Sequence, residues 1–530
     1  MMIKMEKEKS EKLNDLVQKL VKTKLTSFKN FSKIKQKLSS EFKISLPANN
    51  DILEIYYDLK RKNKIKESYF LEHDLKKRPI RSLSGVAVVA VLTKPWPCPG
   101  KCFYCPLEKG VPKSYLSGEP AVERAKILKY NPYFQTKSRI QILERNGHPT
   151  DKIELIVIGG TWSYLPKQYQ SWFIKRCFDG ANKSISKNLA QAQKKNEKAK
   201  NRIVGLTLET RPDYLDLNEI KRMRDLGATR VEIGVQSLDN KILKKNRRGH
   251  GTKETIRATR LLKNAGFKIC YHLMPGLAGS TLKKDFEMFQ DLFSNSDFQP
   301  DMLKIYPCVV AKGSPLYQSW KKGQYRPYSS QQLIELIIKI KLIIPPYVRI
   351  NRLIRDIPAY QIQAGSKISN LREIIQKIMK EKNIFCQCIR CREVKGQKIN
   401  LKDFKLKENR YSASNGQEIF LSFENKEKNK LAAFLRLRLP DLEEKEILPV
   451  LQNAALIREL HTYGQLVEIK NKKLKATQHF GFGKKLIERA EQIAKNQGFQ
   501  KIAVISGIGV REYYRHLGYR LKKTYLVKKI

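Results

Sequence analysis

The feature that most constrains this chain is a cysteine triplet, Cys98-Pro-Gly-Lys-Cys102-Phe-Tyr-Cys105, set just after a β-branched run that ends near Thr93. Thiolates spaced by three and then two residues reach three corners of a cubane iron–sulfur cluster and leave the fourth iron without a protein ligand. An open iron can chelate the amino and carboxylate groups of S-adenosylmethionine and pass one electron to its sulfonium, which releases a 5′-deoxyadenosyl radical. Tyr104, just before the last cysteine, would shield such a cluster. The alternative is a three-cysteine zinc site, which needs a fourth ligand nearby.

Around this loop the chain alternates. From Gly85 onward, short β-branched runs are separated by stretches of helical periodicity. The expected strands are Val86–Leu92, Ile153–Ile158, Ile203–Leu208, Arg230–Gly234, Lys268–His272 and Met302–Tyr306. The intervening lengths suit crossover helices, so the fold class is α/β, with a parallel sheet or partial (β/α) barrel. A chain of 530 residues holds several domains of about 150 residues each. Its 105 Lys and Arg against 51 Asp and Glu leave a net charge of +54. That excess implies an anionic partner, because basic side chains gain affinity by releasing counterions from phosphates. A plain lysine bias on solvated helix faces is the alternative. Hydrophobic residues make up 41% of the chain, which excludes wholesale disorder. No apolar run of about 18 residues occurs and Met1 to Glu11 is charged, so neither a membrane span nor a secretory signal is expected. The expected compartment is cytoplasmic.

Nine cysteines, six of them in two tight triplets, favour metal binding over disulfides. The second triplet, Cys386-Gln-Cys388-Ile-Arg-Cys391, suits a soft tetrahedral ion such as zinc, with a histidine, solvent or substrate as fourth ligand. Free thiols in a surface turn are the alternative. Cys177, Cys270 and Cys308 read as core thiols. Composition divides the chain into basic amphipathic helices over 1–80, the alternating region over 81–365, a basic cysteine-bearing connector over 366–410 and an α+β domain over 411–530. A basic insertion from Ala181 to Arg202 holds seven Lys or Arg and one Glu and reads as a solvated helix or loop.

Near the C-terminus stands Gln478-His-Phe-Gly481-Phe482-Gly483-Lys484. Two glycines let backbone approach a pyrophosphate, and the helix expected from Lys484 to Ala494 points free N–H groups and its positive dipole end at it. A strand from Ile457 to Gly464 precedes this turn; a strand over Lys501–Ser506 and then Val510-Arg-Glu-Tyr513-Tyr514 follow it. A helix cap beside an aromatic core patch is the alternative.

The first triplet, with Gly159-Gly160 at a strand end, resembles the radical SAM superfamily, and the C-terminal order resembles the GNAT acetyltransferase fold, which binds coenzyme A between two splayed strands. Glu459-Leu460-His461, Gln478 to Lys485 and Arg511-Glu-Tyr-Tyr514 add a closer likeness, to the family of the Elongator catalytic subunit in its stand-alone microbial form. The likeness runs from roughly Leu75 to Ile530. It implies a radical SAM partial barrel followed by a GNAT domain, and a tRNA carboxymethyluridine synthase of the acyltransferase class. In that chemistry acetyl-CoA supplies the acetyl group, the radical takes a hydrogen from its methyl, and the acetyl radical adds to C5 of wobble uridine (U34); hydrolysis then leaves 5-carboxymethyluridine. The resemblance implies a [4Fe–4S] cluster on Cys98, Cys102 and Cys105, with S-adenosylmethionine against Gly160, Glu209 and Gln236. It implies structural zinc on Cys386, Cys388 and Cys391. Acetyl-CoA would meet Lys152, Glu459, Leu460, His461, Thr462, Gln478, Gly481, Phe482, Gly483, Lys484 and Tyr514, with Lys152 and Tyr514 as catalytic groups. tRNA would lie on the N-terminal helices and the basic insertion. Elongator-like partner subunits and a homodimer are left open. A protein lysine acetyltransferase on a scaffold-like radical domain is the rival reading, and the intact first triplet speaks against it.

Overall fold

The computed structural model describes residues 2–75, 84–394, 400–425, 427, 429–463 and 481–530. Helices Met2–Lys22, Phe28–Glu41 and Asn49–Arg61 pack as one unit. Leu16, Val17 and Leu20 share a face through their helical spacing and bury fully against Phe31, Ile52, Leu53 and Tyr56. Lys19, Lys22, Lys33 and Lys37 remain exposed. No helix among the described residues is long and apolar enough to cross a membrane.

The next unit is built on parallel strands β1 (Ala87–Leu92), β2 (Lys152–Ile158), β3 (Arg202–Thr210), β4 (Arg230–Gln236), β5 (Lys268–Leu273) and β6 (Met302–Ile305). After a two-residue strand β7 (Val310–Ala311) comes β8 (Arg349–Arg352), then β9 (Ile362–Ala364), which pairs antiparallel with β7. The main sheet runs β1-β2-β3-β4-β5-β6-β8, in chain order, and β1 and β8 are its edges; it is therefore an open half-barrel. All six expected strands form. The seventh, Arg-Ile-Asn-Arg, was not expected because its short, polar sequence carries no β-branched run. Alternation orients each strand: on β2, Ile153, Leu155 and Val157 are buried in the hydrophobic core, while Lys152, Glu154, Ile156 and Ile158 line the lumen.

The second sheet comprises β10 (Lys405–Ser412), β11 (Gly416–Asn425), β12 (Lys430–Pro440), β13 (Ala454–Thr462), β14 (Lys501–Val504), β15 (Arg520–Lys522) and β16 (Tyr525–Lys529), in the order β10-β11-β12-β13-β14-β16-β15. Its first strand starts ahead of the boundary expected at 411. Among the described strands of this sheet only β13 and β14 pair in parallel, and they do so from Ala454–Lys501 to Ile457–Val504. Beyond that point β13 continues to Thr462 beside β12 alone, so a wedge opens between β13 and β14. The helix Phe482–Asn496 starts at this wedge.

The two sheets are joined by buried charge. Arg458 on β13 donates to Asp301, just ahead of β6, at 3.0 Å, and to Glu418 on β11 at 2.7 Å. Arg436 bonds Glu459 at 2.9 Å and the Tyr347 carbonyl at 2.8 Å, and Arg438 bonds Asn264 at 2.8 Å. Arg458, Asp301, Glu418, Arg436 and Arg438 are all at most 1% exposed. The turn after β14 also docks on β3 backbone to backbone: a Cβ on Gly507 would fall on the Val204 carbonyl, and one on Gly509 would stand 2.6 Å from the Arg202 Cβ. The basic insertion joins this contact. It forms the helix Leu189–Asn196, and Glu197, only 2% exposed, pairs with Arg511 at 3.1 Å and Arg515 at 2.8 Å. The segment is thus a bridge between domains rather than a merely solvated loop, although Lys194, Lys195, Lys198 and Lys200 do face solvent.

Candidate active site

A single cavity of about 1550 Å³ extends from the first cysteine triplet through the half-barrel lumen to the wedge between β13 and β14. The loop after β1 carries the three cysteines to the end of the sheet where the strands finish, and Cys98, Cys102 and Cys105 all line this cavity. Their three sulfurs do not all lie within 4.8 Å of one another, although Cys102 and Cys105 are hydrogen-bonded. Arg248 donates to Cys102 Sγ at 3.3 Å. The Cys102 thiol is drawn down to about 4 by a hydrogen bond from Cys105 and then by Arg248, while Cys105 is driven up by the same bond. Arg248 Nε, Arg211 Nη1 and Gln236 Oε1 are buried without a hydrogen-bond partner in this region. Gly159 and Gly160 hold φ of 135° and 104°, left-handed values that glycine tolerates. A set of thiols, orphaned polar atoms and open backbone at a strand end fits an iron–sulfur cluster with a polar ligand beside it. Glu209 is less free: its carboxylate accepts from Tyr115 at 3.1 Å and Lys304 at 3.3 Å.

At the far end the wedge residues gather. Gly481 caps the helix Phe482–Asn496 with φ 71°, and a Cβ on Gly483 would crowd the Tyr513 hydroxyl at 2.9 Å. Leu460, His461, Thr462, Gly481, Gly483, Lys484, Tyr513 and Tyr514 line the cavity. Two expected contacts are redirected. Phe482 stacks on Phe423 with centroids 4.2 Å apart, so it anchors the helix and leaves only backbone for a ligand. The Glu459 carboxylate is occupied by Arg436 and by Lys268 at 3.7 Å; burial alone would raise it, yet these cations hold it below the usual range. His461 donates from Nε2 to the Ser84 carbonyl at 2.7 Å, and burial lowers its pKa, keeping the ring neutral. Burial likewise raises the Tyr514 hydroxyl, which stays protonated as a donor. Lys152 lines the cavity from the start of β2, its ammonium lowered chiefly by burial. Gln478 lies outside the described residues.

Between the two ends the lumen holds charges the sequence reading did not single out. Glu232 is fully buried, with His272 Nε2 at 2.8 Å and Lys304 in contact, and Arg230 lies 3.4 Å away. The available signal was charge at period two within β-runs, as in Arg230-Val-Glu232, which marks a polar lumen rather than a solvent face.

The second triplet closes tightly. The Sγ atoms of Cys386, Cys388 and Cys391 lie within 4.8 Å of one another, and no fourth His, Cys, Asp or Glu joins them among the described residues. Buried Lys341 donates to Cys391 Sγ at 3.4 Å. Three close thiols beside a cation fit a thiolate-bound ion.

Known proteins give the same outline. The Radical SAM superfamily model matches residues 98–292 and the Radical_SAM C-terminal domain model residues 300–381. A protein of Methanocaldococcus infernus named tRNA uridine(34) acetyltransferase is 47% identical over 524 residues, 95% of each chain. Human Elongator complex protein 3 is 39% identical over 519 residues, 94% of this chain and 93% of its own. This chain belongs to the Elongator protein 3 family. The solved archaeal member from M. infernus, with its N-terminus deleted, superposes with TM-score 0.74 at 47% identity, covering 84% of this chain and 100% of that one. The half-barrel followed by a mixed sheet is accordingly the family's radical SAM architecture.

Proposed function

We propose that this Elongator-family chain is a cytoplasmic enzyme that converts the wobble uridine of tRNA to 5-carboxymethyluridine, with acetyl-CoA as carbon source and S-adenosylmethionine as radical source. The observation that carries the reading is the one cavity shared by the cysteine triplet and the β13/β14 wedge. Two reactants that must exchange a hydrogen need a common chamber, and a plain protein acetyltransferase has no use for one. The relatives named tRNA uridine(34) acetyltransferase support the substrate. When bound, the cluster and S-adenosylmethionine supply the 5′-deoxyadenosyl radical that removes a hydrogen from the acetyl methyl. The protein does the rest by placement. Arg248 steadies the Cys102 thiolate, and Gly159 and Gly160 open backbone to the methionine end. Gly481, Gly483 and the helix behind them receive the pyrophosphate. Tyr514 donates its proton toward the thioester, and Lys152 approaches it from β2. Mass spectrometry of wobble nucleosides after incubation of the chain with tRNA, S-adenosylmethionine, acetyl-CoA and reductant tests the reading. Acetylated protein lysines with unmodified uridine would instead support the lysine acetyltransferase reading.

Two predictions follow from the surrounding surface and connector. Each phosphate neutralised contributes about 0.7 to 0.9 to the log–log salt slope of tRNA binding. Neutralising the exposed Lys194, Lys195, Lys198 and Lys200 together is expected to flatten that slope, as read by titration at several salt concentrations. An unchanged slope and affinity would remove this helix from the tRNA path. For the second triplet, Cys388→Ser is expected to strip zinc from the purified chain and lower its melting temperature while the iron content stays normal. Zinc retained at full stoichiometry would rule that site out.

A further inference from the structure

Glu232 and His272 line the cavity between its two ends, with buried Cys270 beside them, and no step above uses this group. Its position follows from β5. Lys268 at the start of that strand sits 3.7 Å from Glu459 on β13, at the coenzyme end. His272 is four residues further on, about 13 Å along the strand at about 3.3 Å per residue. There it stands level with Lys304 on β6, the side chain that also holds Glu209 at the cluster end. A coenzyme-bound acetyl group that met a radical at the cluster end would have to extend from the wedge to about this level. Its thioester carbonyl is one bond from the reacting methyl, so both belong to the same layer.

The hydrogen bonds give His272 a defined tautomer. A carboxylate only accepts, so the 2.8 Å contact with Glu232 Oε2 places the proton on His272 Nε2 and leaves a lone pair on Nδ1. The ring is fixed edge-on against Tyr306, with centroids 5.4 Å apart at 74°, and it lines the cavity. Glu154, Glu209 and Glu232 face Arg230 and Lys304, one negative charge in excess, and the nearby Arg352 is occupied by Asp356 at 2.6 Å. A metal at this triad is disfavoured by the same neighbours, since the Lys304 ammonium already sits on the Glu232 carboxylate and burial holds the Cys270 thiol protonated.

We propose that His272, oriented by Glu232, is the general base for thioester hydrolysis in this cavity, an inference that deepens the functional reading above and rests on it. His272 Nδ1 takes a proton from water as the water oxygen attacks the thioester carbonyl carbon. The carbon–sulfur bond breaks, and the sulfur leaves with the electron pair and recovers the proton from the imidazolium. The products are a carboxylic acid and the free thiol of coenzyme A, with no oxidant or reductant consumed.

The test measures coenzyme A release from acetyl-CoA by the full chain with tRNA present and S-adenosylmethionine absent. For His272→Asn, kcat is expected to fall about 100-fold, the scale of general base catalysis, with KM unchanged. For His272→Ala, added imidazole is expected to restore part of the rate. A His272→Asn chain that releases coenzyme A at the native kcat overturns the proposal. So does a loss that appears in KM or in iron content, or that imidazole leaves untouched, because it assigns His272 a structural role. Stoichiometric metal that disappears with His272→Asn but not with Cys388→Ser overturns it in favour of a metal site. The functional reading is judged separately: native release of coenzyme A without any carboxymethyluridine removes that reading and leaves the His272 result standing.

Discussion

A chain with alanine at Cys98, Cys102 and Cys105 together is expected to lose its brown chromophore after anaerobic reconstitution and to lose cleavage of S-adenosylmethionine down to background. The loop that carries these residues is held independently of any iron: Phe103 donates its backbone N–H to Asn246 at 3.0 Å, and Leu316 donates to Phe103 at 2.9 Å. The fold is therefore expected to survive, and circular dichroism should match the native chain. Arg248, held up against burial first by Tyr104 and then by Cys102 and Cys105, then keeps only Tyr104 of these partners. Absorbance near the visible charge-transfer bands and iron analysis read the result. A triple variant that still assembles a full cluster would contradict the ligand assignment outright.

The second large effect concerns the joint between the sheets. Arg458→Ala should lower stability by about 3 to 5 kcal/mol, because removing one partner leaves buried carboxylates uncompensated. Asp301 and Glu418 are the groups exposed to that loss, both at most 1% accessible. Burial alone would raise their pKa values, yet Arg458 and its neighbours hold both below the ordinary range. The sign of the pH dependence follows. A carboxyl depressed in the folded chain adds stability that is fully present above the unfolded value, about 4, and is lost as pH falls through the folded one. Native denaturant midpoints should thus decline steeply below about pH 4, the unfolded value, and the Arg458→Ala chain should show a shallower acid slope from a lower plateau. Midpoints equal to native at neutral pH would mean that the joint relaxes without cost.

What could be read in the sequence divides by the range of the contacts involved. The six apolar strands, the glycine turn at Gly481 and Gly483 and both cysteine triplets rest on local spacing, and the described parts of each stand in the structure. β8 was missed because Arg349 and Arg352 mask a strand whose pairing comes entirely from β6. In the sequence Glu197 reads with its lysines, because only the fold brings Arg511 and Arg515 to it. The same limit explains Phe482 and Glu459. Each belongs to a segment legible as a binding motif, while the partner that turns it aside, Phe423 or Arg436, lies on a different strand. The lumen charges around Glu232 are long-range in the same sense, since five strands, β2 to β6, contribute to one cluster.

The contact of Gly507 and Gly509 with β3 has a bearing on how such chains can be recombined. Where two domains meet through side chains, a grafted module can repack by trading one residue for another of similar volume. Here the carbonyls of Ile203 and Val204 stand where side chains would be, and a substitution has nothing to trade. An acyltransferase module transplanted from elsewhere would bind its own coenzyme on such a scaffold yet sit displaced by the width of a methyl group, out of line with the lumen. On this scaffold the transferable unit is therefore the turn together with the strand beneath it.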